Sequence, residues 1–253
     1  MKSISHLVLP SVACLALAAG LAGCKVSACP DAQSVDGGKA ATTKENCLQF
    51  EPTVEYRGTP RTATQAWSAG KNVSIKNRNG KLVVLSDATS AGEVQVSGTP
   101  FTRDGQSDAE KQAATAHLSA MASPSASADA AGNVVIDAPG GGFDGYDLTV
   151  HLPSAFDGAV NANNGNGELQ YSGTPSSTGN LIHSDNGDVS ATVGATASVS
   201  VTAKTDLGLV TFRGAWTTQM VAANGESGTA TLGAGAGTLD VSSGNGDVTV
   251  SLP

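Results

Sequence analysis

The sequence predicts an all-β protein, a single-stack β-solenoid with coils of about 20 residues and one short helical excursion near residues 107–121. Three observations predict it. Glycine returns at a near-constant interval in the C-terminal half, at Gly167, Gly187, Gly208, Gly228 and Gly246, spaced 20, 21, 20 and 18 residues apart. Each of these turn glycines opens an alternating run such as Gly187-Asp188-Val189-Ser190-Ala191, and period-two alternation marks a strand with one buried face. The composition agrees: 31 glycines and 4% aromatic residues suit narrow, regular β-structure with many turns better than a thick α/β core.

Residues 1–23 read as a secretory signal, with Lys2 as the positive n-region and an apolar run from Leu7 to Leu21 that is too short to span a bilayer. The run ends in Leu21-Ala22-Gly23-Cys24, which resembles the lipobox of bacterial lipoproteins. That resemblance implies cleavage before Cys24, acylation of Cys24 and attachment to a membrane. The alternative is an ordinary signal peptide with a chance cysteine. Lys25 stands where an aspartate would resemble an inner-membrane retention signal, so outer-membrane delivery is expected, facing the periplasm or the cell surface. Residues 24–52 then form a tether. Cys29 and Cys47 remain after Cys14 leaves and Cys24 is acylated, and outside the cytoplasm such a pair forms a disulfide worth about 3 kcal/mol. A metal site is the rival reading, with no histidine near either cysteine.

Residues 53–253 read as the β-solenoid domain. Val73-Ser74-Ile75-Lys76-Asn77 runs into Asn79-Gly80, a tight-turn pair, and then into Leu82-Val83-Val84-Leu85. Glu93 to Ser97 alternates strictly. Ser107 to Met121 is alanine-rich and reads as a helix capped by Ser107 with Glu110 three residues on; it either covers a side or end of the sheet or is a surface insertion. Strands resume at Val134-Val135-Ile136 and Tyr146 to Leu152. In the five units beyond Pro153, Leu169, Val189, Val210, Ala230 and Val248 are expected to point inward, with Tyr171, Ala191, Phe212, Leu232 and Val250 two residues later. The last strand, ending at Leu252-Pro253, is expected to be the open end of the stack. A two-sheet sandwich is the rival architecture.

This pattern is similar to a bacterial family named putative-adhesin β-solenoids, related to the head domain of some auto-transporter adhesins. The stretches that carry the likeness are Val73 to Asn77 with Asn79-Gly80, Asp147 to Pro153, Asn186-Gly187-Asp188-Val189 and Gly244 to Val250. The resemblance implies a surface or envelope role and supplies no catalytic residues.

The formal net charge of −8 argues against nucleic acid as a partner. Glu168, Asp188 and Asp247 share the position after a repeat glycine. They read as a carboxylate pair for a polysaccharide-active enzyme, as oxygen ligands for calcium, or as caps of the turn, and the third reading is the one expected. Trp216 is a candidate for stacking on a sugar ring or for burial against a neighbouring coil. His117, His151 and His183 each stand alone on their elements, and no spacing selects a metal site, a cofactor or a nucleophile. The expectation is therefore a non-catalytic envelope lipoprotein, a binding or structural module contacting glycan or an envelope protein. The alternatives are a β-helix enzyme and a periplasmic assembly or sensing factor.

Overall fold

Apolar residues at every second position make most of this chain extended, because only a strand gathers such residues on one face. The computed structural model describes residues 24–28, 48–88, 92–177 and 179–253. Signal residues 1–23, Cys29 and Cys47 lie outside them. β1 (Cys24–Ala28) and β2 (Leu48–Pro52) pair antiparallel as a two-stranded sheet of their own. Then come β3 (Val54–Arg57), β4 (Arg61–Ala66), β5 (Val73–Asn79), β6 (Leu82–Ala88) and β7 (Glu93–Asp104). The helix α1 (Asp108–Ala120) leads to β8 (Ser125–Ala128), β9 (Val134–Ala138) and β10 (Gly145–Pro153). The C-terminal half holds β11 (Val160–Asn166), β12 (Leu169–Gly173), β13 (Asn180–Asn186), β14 (Val189–Val193), β15 (Val199–Leu207) and β16 (Val210–Arg213). It closes with β17 (Thr218–Val221), β18 (Ser227–Leu232), β19 (Gly237–Asn245) and β20 (Val248–Ser251).

Among the described residues these strands make two mixed sheets, neither closed into a barrel. The first runs β16-β20-β14-β12-β6-β10-β7-β3, with β4 also on β7; the second runs β17-β18-β15-β19-β13-β11-β5-β9-β8. The pairs β5/β6, β9/β10, β11/β12, β13/β14, β15/β16 and β19/β20 each give one strand to each sheet, and neighbouring pairs run parallel. Their inward residues share one core. In the first sheet Leu148, Leu82, Leu169, Val189, Val248 and Val210 stand in register, all buried. Each such side chain contributes about 1.5–3 kcal/mol on burial.

The order of these strand pairs, called coils below, is not the order of the chain. From one end it is β15/β16, β19/β20, β13/β14, β11/β12, β5/β6, β9/β10. The pair β19/β20 is interior, with β20 bonded to both β14 and β16, so the strand before Leu252-Pro253 is not an open sheet edge. Gly228 explains the reordering. It is not a repeat turn but lies within β18, opposite Ala203 and Val221, where β17 and β18 run antiparallel outside β15. With β18 on one edge of β15, β19 takes the other edge, between β15 and β13.

The alanine-rich segment is helical as expected. Ser107 and Glu110 form a complete capping box, and Ala114 and Leu118 are buried against the body. Arg61 of β4 holds the far end, donating to the carbonyls of Leu118 at 2.6 Å and of Met121. A guanidinium on the last carbonyls of a helix also meets the negative end of its dipole.

Candidate ligand-binding face

The turn at each coil is built from glycine outward. Gly80, Gly167, Gly187, Gly246 and Gly208 all have φ between 106° and 151° and lie on successive coils. A Cβ on Gly187 would sit 2.2 Å from the carbonyl oxygen of Gly167, and one on Gly167 would sit 2.4 Å from that of Gly80. No other residue fits, on both counts. The glycine carbonyls are met from inside by buried polar side chains: Asn164 donates to Gly167 O at 2.8 Å, Ser184 to Gly167 O at 3.1 Å, Ser243 to Gly187 O at 2.8 Å and Thr205 to Gly246 O at 2.8 Å. Outside, Asn79, Asn166, Asn186 and Asn245 form an amide ladder with Nδ2-to-Oδ1 distances of 2.7, 3.0 and 2.7 Å.

The acidic positions complete this turn. Asp188 accepts from the backbone N–H of Asp247 at 2.8 Å, and Asp247 accepts from that of Leu209 at 2.9 Å. Asp147 does the same for Lys81 at 2.9 Å, while Glu168 pairs with Lys81 Nζ at 3.1 Å. The structure does bring Glu168 and Asp188 onto adjacent coils, but their carboxylates and that of Asp247 serve the turn or an ion pair. Among the described residues no group of three or more His, Cys, Asp or Glu converges on a metal-sized space. Trp216 precedes β17, donates its indole N–H to Arg213 O at 3.1 Å and meets Phe212 edge-on at 5.8 Å. It packs on the terminal coil. Cys24 begins β1, and its side chain is outside the described part.

A concave surface lies instead on the outer face of the second sheet. In-register pairing sets Ser74, Asn161, Leu181 and Asp240 side by side across β5, β11, β13 and β19. All four are exposed and line an open groove of 390 Å³, together with Asn72, Asn133 and Asp129 at its rim. At the rim the Asn133 side-chain amide, its backbone N–H and those of Ala131 and Gly132 hold the Asp129 carboxyl below the usual range. Asn72 in turn accepts from Ala159 N–H at 2.9 Å. The row thus offers an amide, a carboxylate, a hydroxyl and one apolar side chain at strand spacing, about 4.8 Å.

The next row along the strands holds a hydrogen-bonded chain that the sequence reading missed. His183 Nδ1 meets Ser242 Oγ at 2.8 Å and His183 Nε2 meets Asp185 Oδ1 at 2.9 Å. Ser242 faces His183 because β19 pairs with β13. His117 is likewise partnered, at 2.8 Å from Asp144, which also accepts from Thr102 at 2.6 Å. The signal for the first chain was present. His183 and Ser242 both lie four residues before their glycines, Gly187 and Gly246.

No family model matches the chain, and no curated protein matches it. Two solved structures are similar to it. One is a "putative cell adhesion protein" from Clostridium sporogenes, 12% identical, with 77% of this chain and 100% of that chain covered and a TM-score of 0.41. The other is a "putative adhesin" from Bacteroides fragilis, 9% identical, with 77% and 97% covered and a TM-score of 0.20.

Proposed function

We propose that this chain is a non-catalytic, adhesin-like binding module of the bacterial envelope, and that the outer face of its second sheet holds a glycan. The row Ser74, Asn161, Leu181, Asp240 over the open groove carries this reading. A sugar presents hydroxyls along its rim and a weakly apolar face, and a few convergent polar groups beside one apolar side chain suit both. In this reading the body is a β-solenoid with a reordered stack, acylated Cys24 anchors it to the outer membrane, and a Cys29–Cys47 disulfide staples the tether. A glycan-array screen of the wild type against the Asn161→Ala, Leu181→Ala, Asp240→Ala triple variant tests the face. Retention lost only in the variant supports it, and equal retention of the same glycans by both sinks it. Protease shaving of intact cells decides between the cell surface and the periplasm.

One observation favours a second reading. A hydroxyl, an imidazole and a carboxylate in one hydrogen-bonded chain is the arrangement of an activated serine. In that reading Ser242 gives its proton to His183 Nδ1 as its oxygen attacks the ester carbonyl of an acylated glycan. The ester C–O bond breaks and the sugar oxygen leaves with that proton, water then frees the acyl group from Ser242, and Asp185 steadies the imidazole throughout. Release of acetate from such a glycan, abolished by Ser242→Ala, would replace the non-catalytic reading.

A further inference from the structure

Asparagine followed by glycine is the most labile amide pair in a polypeptide. The glycine nitrogen, unhindered by a side chain, attacks the asparagine side-chain carbonyl carbon and ammonia leaves. The succinimide so formed takes up water to give aspartate or isoaspartate. The chain has six such pairs; Asn164-Gly165 lies inside β11 and Asn224-Gly225 in the turn between β17 and β18, and the other four, Asn79-Gly80, Asn166-Gly167, Asn186-Gly187 and Asn245-Gly246, stand at one corner of four adjacent coils.

In the folded protein both reacting groups are held. The glycine N–H groups of 80, 167 and 187 donate at 2.7 Å to the carbonyls of Asn166, Asn186 and Asn245, and that of Gly246 donates at 2.8 Å to Leu207. The side-chain amides are tied to one another along the ladder. Each asparagine is also the last residue of a strand, and an extended backbone turns the following nitrogen away from the side-chain carbon.

The protection is unequal along the stack. Leu207 stands where a fifth asparagine would stand, so no ladder amide donates to Asn245 Oδ1. The Gly246 N–H is held by the last coil, β15/β16, whose β16 is the edge of the first sheet and whose β15 is backed by the antiparallel β17–β18 hairpin alone, whereas the other three glycines are held by coils with a parallel neighbour on both sides. End units of a stack open more readily than interior ones. We infer that the four pairs are a guarded deamidation series in which Asn245 is the modification site, converted when the β15/β16 coil opens, while Asn79, Asn166 and Asn186 persist. The product removes the amide that donates to Asn186 and adds a carboxylate two residues from Asp247, so one conversion loosens the end that guarded it.

Peptide mapping by mass spectrometry, after incubation at mildly alkaline pH with and without urea, tests this on the intact protein. The native state should convert Asn79, Asn166 and Asn186 about tenfold more slowly than the unfolded chain, or slower still, with Asn245 first among the four. Leu207→Asn, at a 67% exposed position, should slow Asn245 and make the introduced asparagine the fastest of the five in the series. Equal rates in the two states, an interior site leading, or an unchanged Asn245 rate in the variant would each overturn the inference.

Discussion

Ser243 is 3% exposed, and its hydroxyl goes to a glycine carbonyl that turns inward because positive φ turns it there. Removing the hydroxyl leaves that carbonyl without a donor in the core, so Ser243→Ala should cost about 1–3 kcal/mol, read from urea denaturation. Asn164→Ala should cost more, since its amide serves Gly80, Gly167 and Glu168 carbonyls together. Two glycines give a contrast. Gly187→Ala meets backbone at 2.2 Å and should lose several kcal/mol, while Gly92→Ala meets open space and should lose only the roughly 1 kcal/mol of a left-handed alanine. Tyr171 adds a pH dependence. Burial raises its phenol well above the usual range. Below a pH of about 10 the phenol is neutral in both states. Above it the unfolded chain ionises while the folded one keeps its proton, so stability is whole below that pH and falls as pH rises beyond it. Tyr171→Phe should flatten this alkaline loss in a denaturation series, and an unchanged slope would assign the loss elsewhere.

At the scale of elements, α1 depends on one side chain from outside it. Arg61 collects carbonyls from the helix C-terminus, and its Nη1 lies 3.1 Å from the Tyr146 hydroxyl. Arg61→Met keeps much of the packing and loses every donor. Limited proteolysis should then cut between 107 and 124 while the stack stays resistant. Resistance equal to wild type would show that the buried Ala114 and Leu118 and the His117–Asp144 contact hold the helix without it. The helix was legible because capping box and composition are local signals. So were the phases of the strands: Leu169, Val189 and Val248 are buried as alternation requires. Gly228 misled because an antiparallel strand, β18, alternates just as a coil strand does and happens to begin near the expected interval. The groove row was half legible. Ser74, Asn161, Leu181 and Asp240 all lie six residues before a turn glycine, but only pairing order makes them neighbours. A sequential stack would have put Lys204 beside His183, where the structure puts Ser242. Nothing local distinguishes the two, because the choice rests on which edge of β15 is already occupied.

For the whole molecule, the order of coils changes what a core substitution does. Val248 is fully buried between Val189 and Val210. A charge there would fray only the tip of a sequential stack, but here it lies between two coils. Val248→Asp should therefore lower the stability of the entire body by several kcal/mol, with one cooperative denaturation transition; a separate early step confined to the C-terminus would contradict the interior placement. The same placement makes residues 237–251 a keystone. Until residues 237–251 arrive, β13/β14 and β15/β16 are two unfinished halves with facing open edges, and the stack cannot close by simple growth from one end. Pairing so distant in sequence is slow to form and leaves strand edges bare meanwhile. A chain ended between β16 and β19 would expose two edges at its middle rather than one at its tip, so the architecture itself separates copies that hold residues 237–251 from those that lack them.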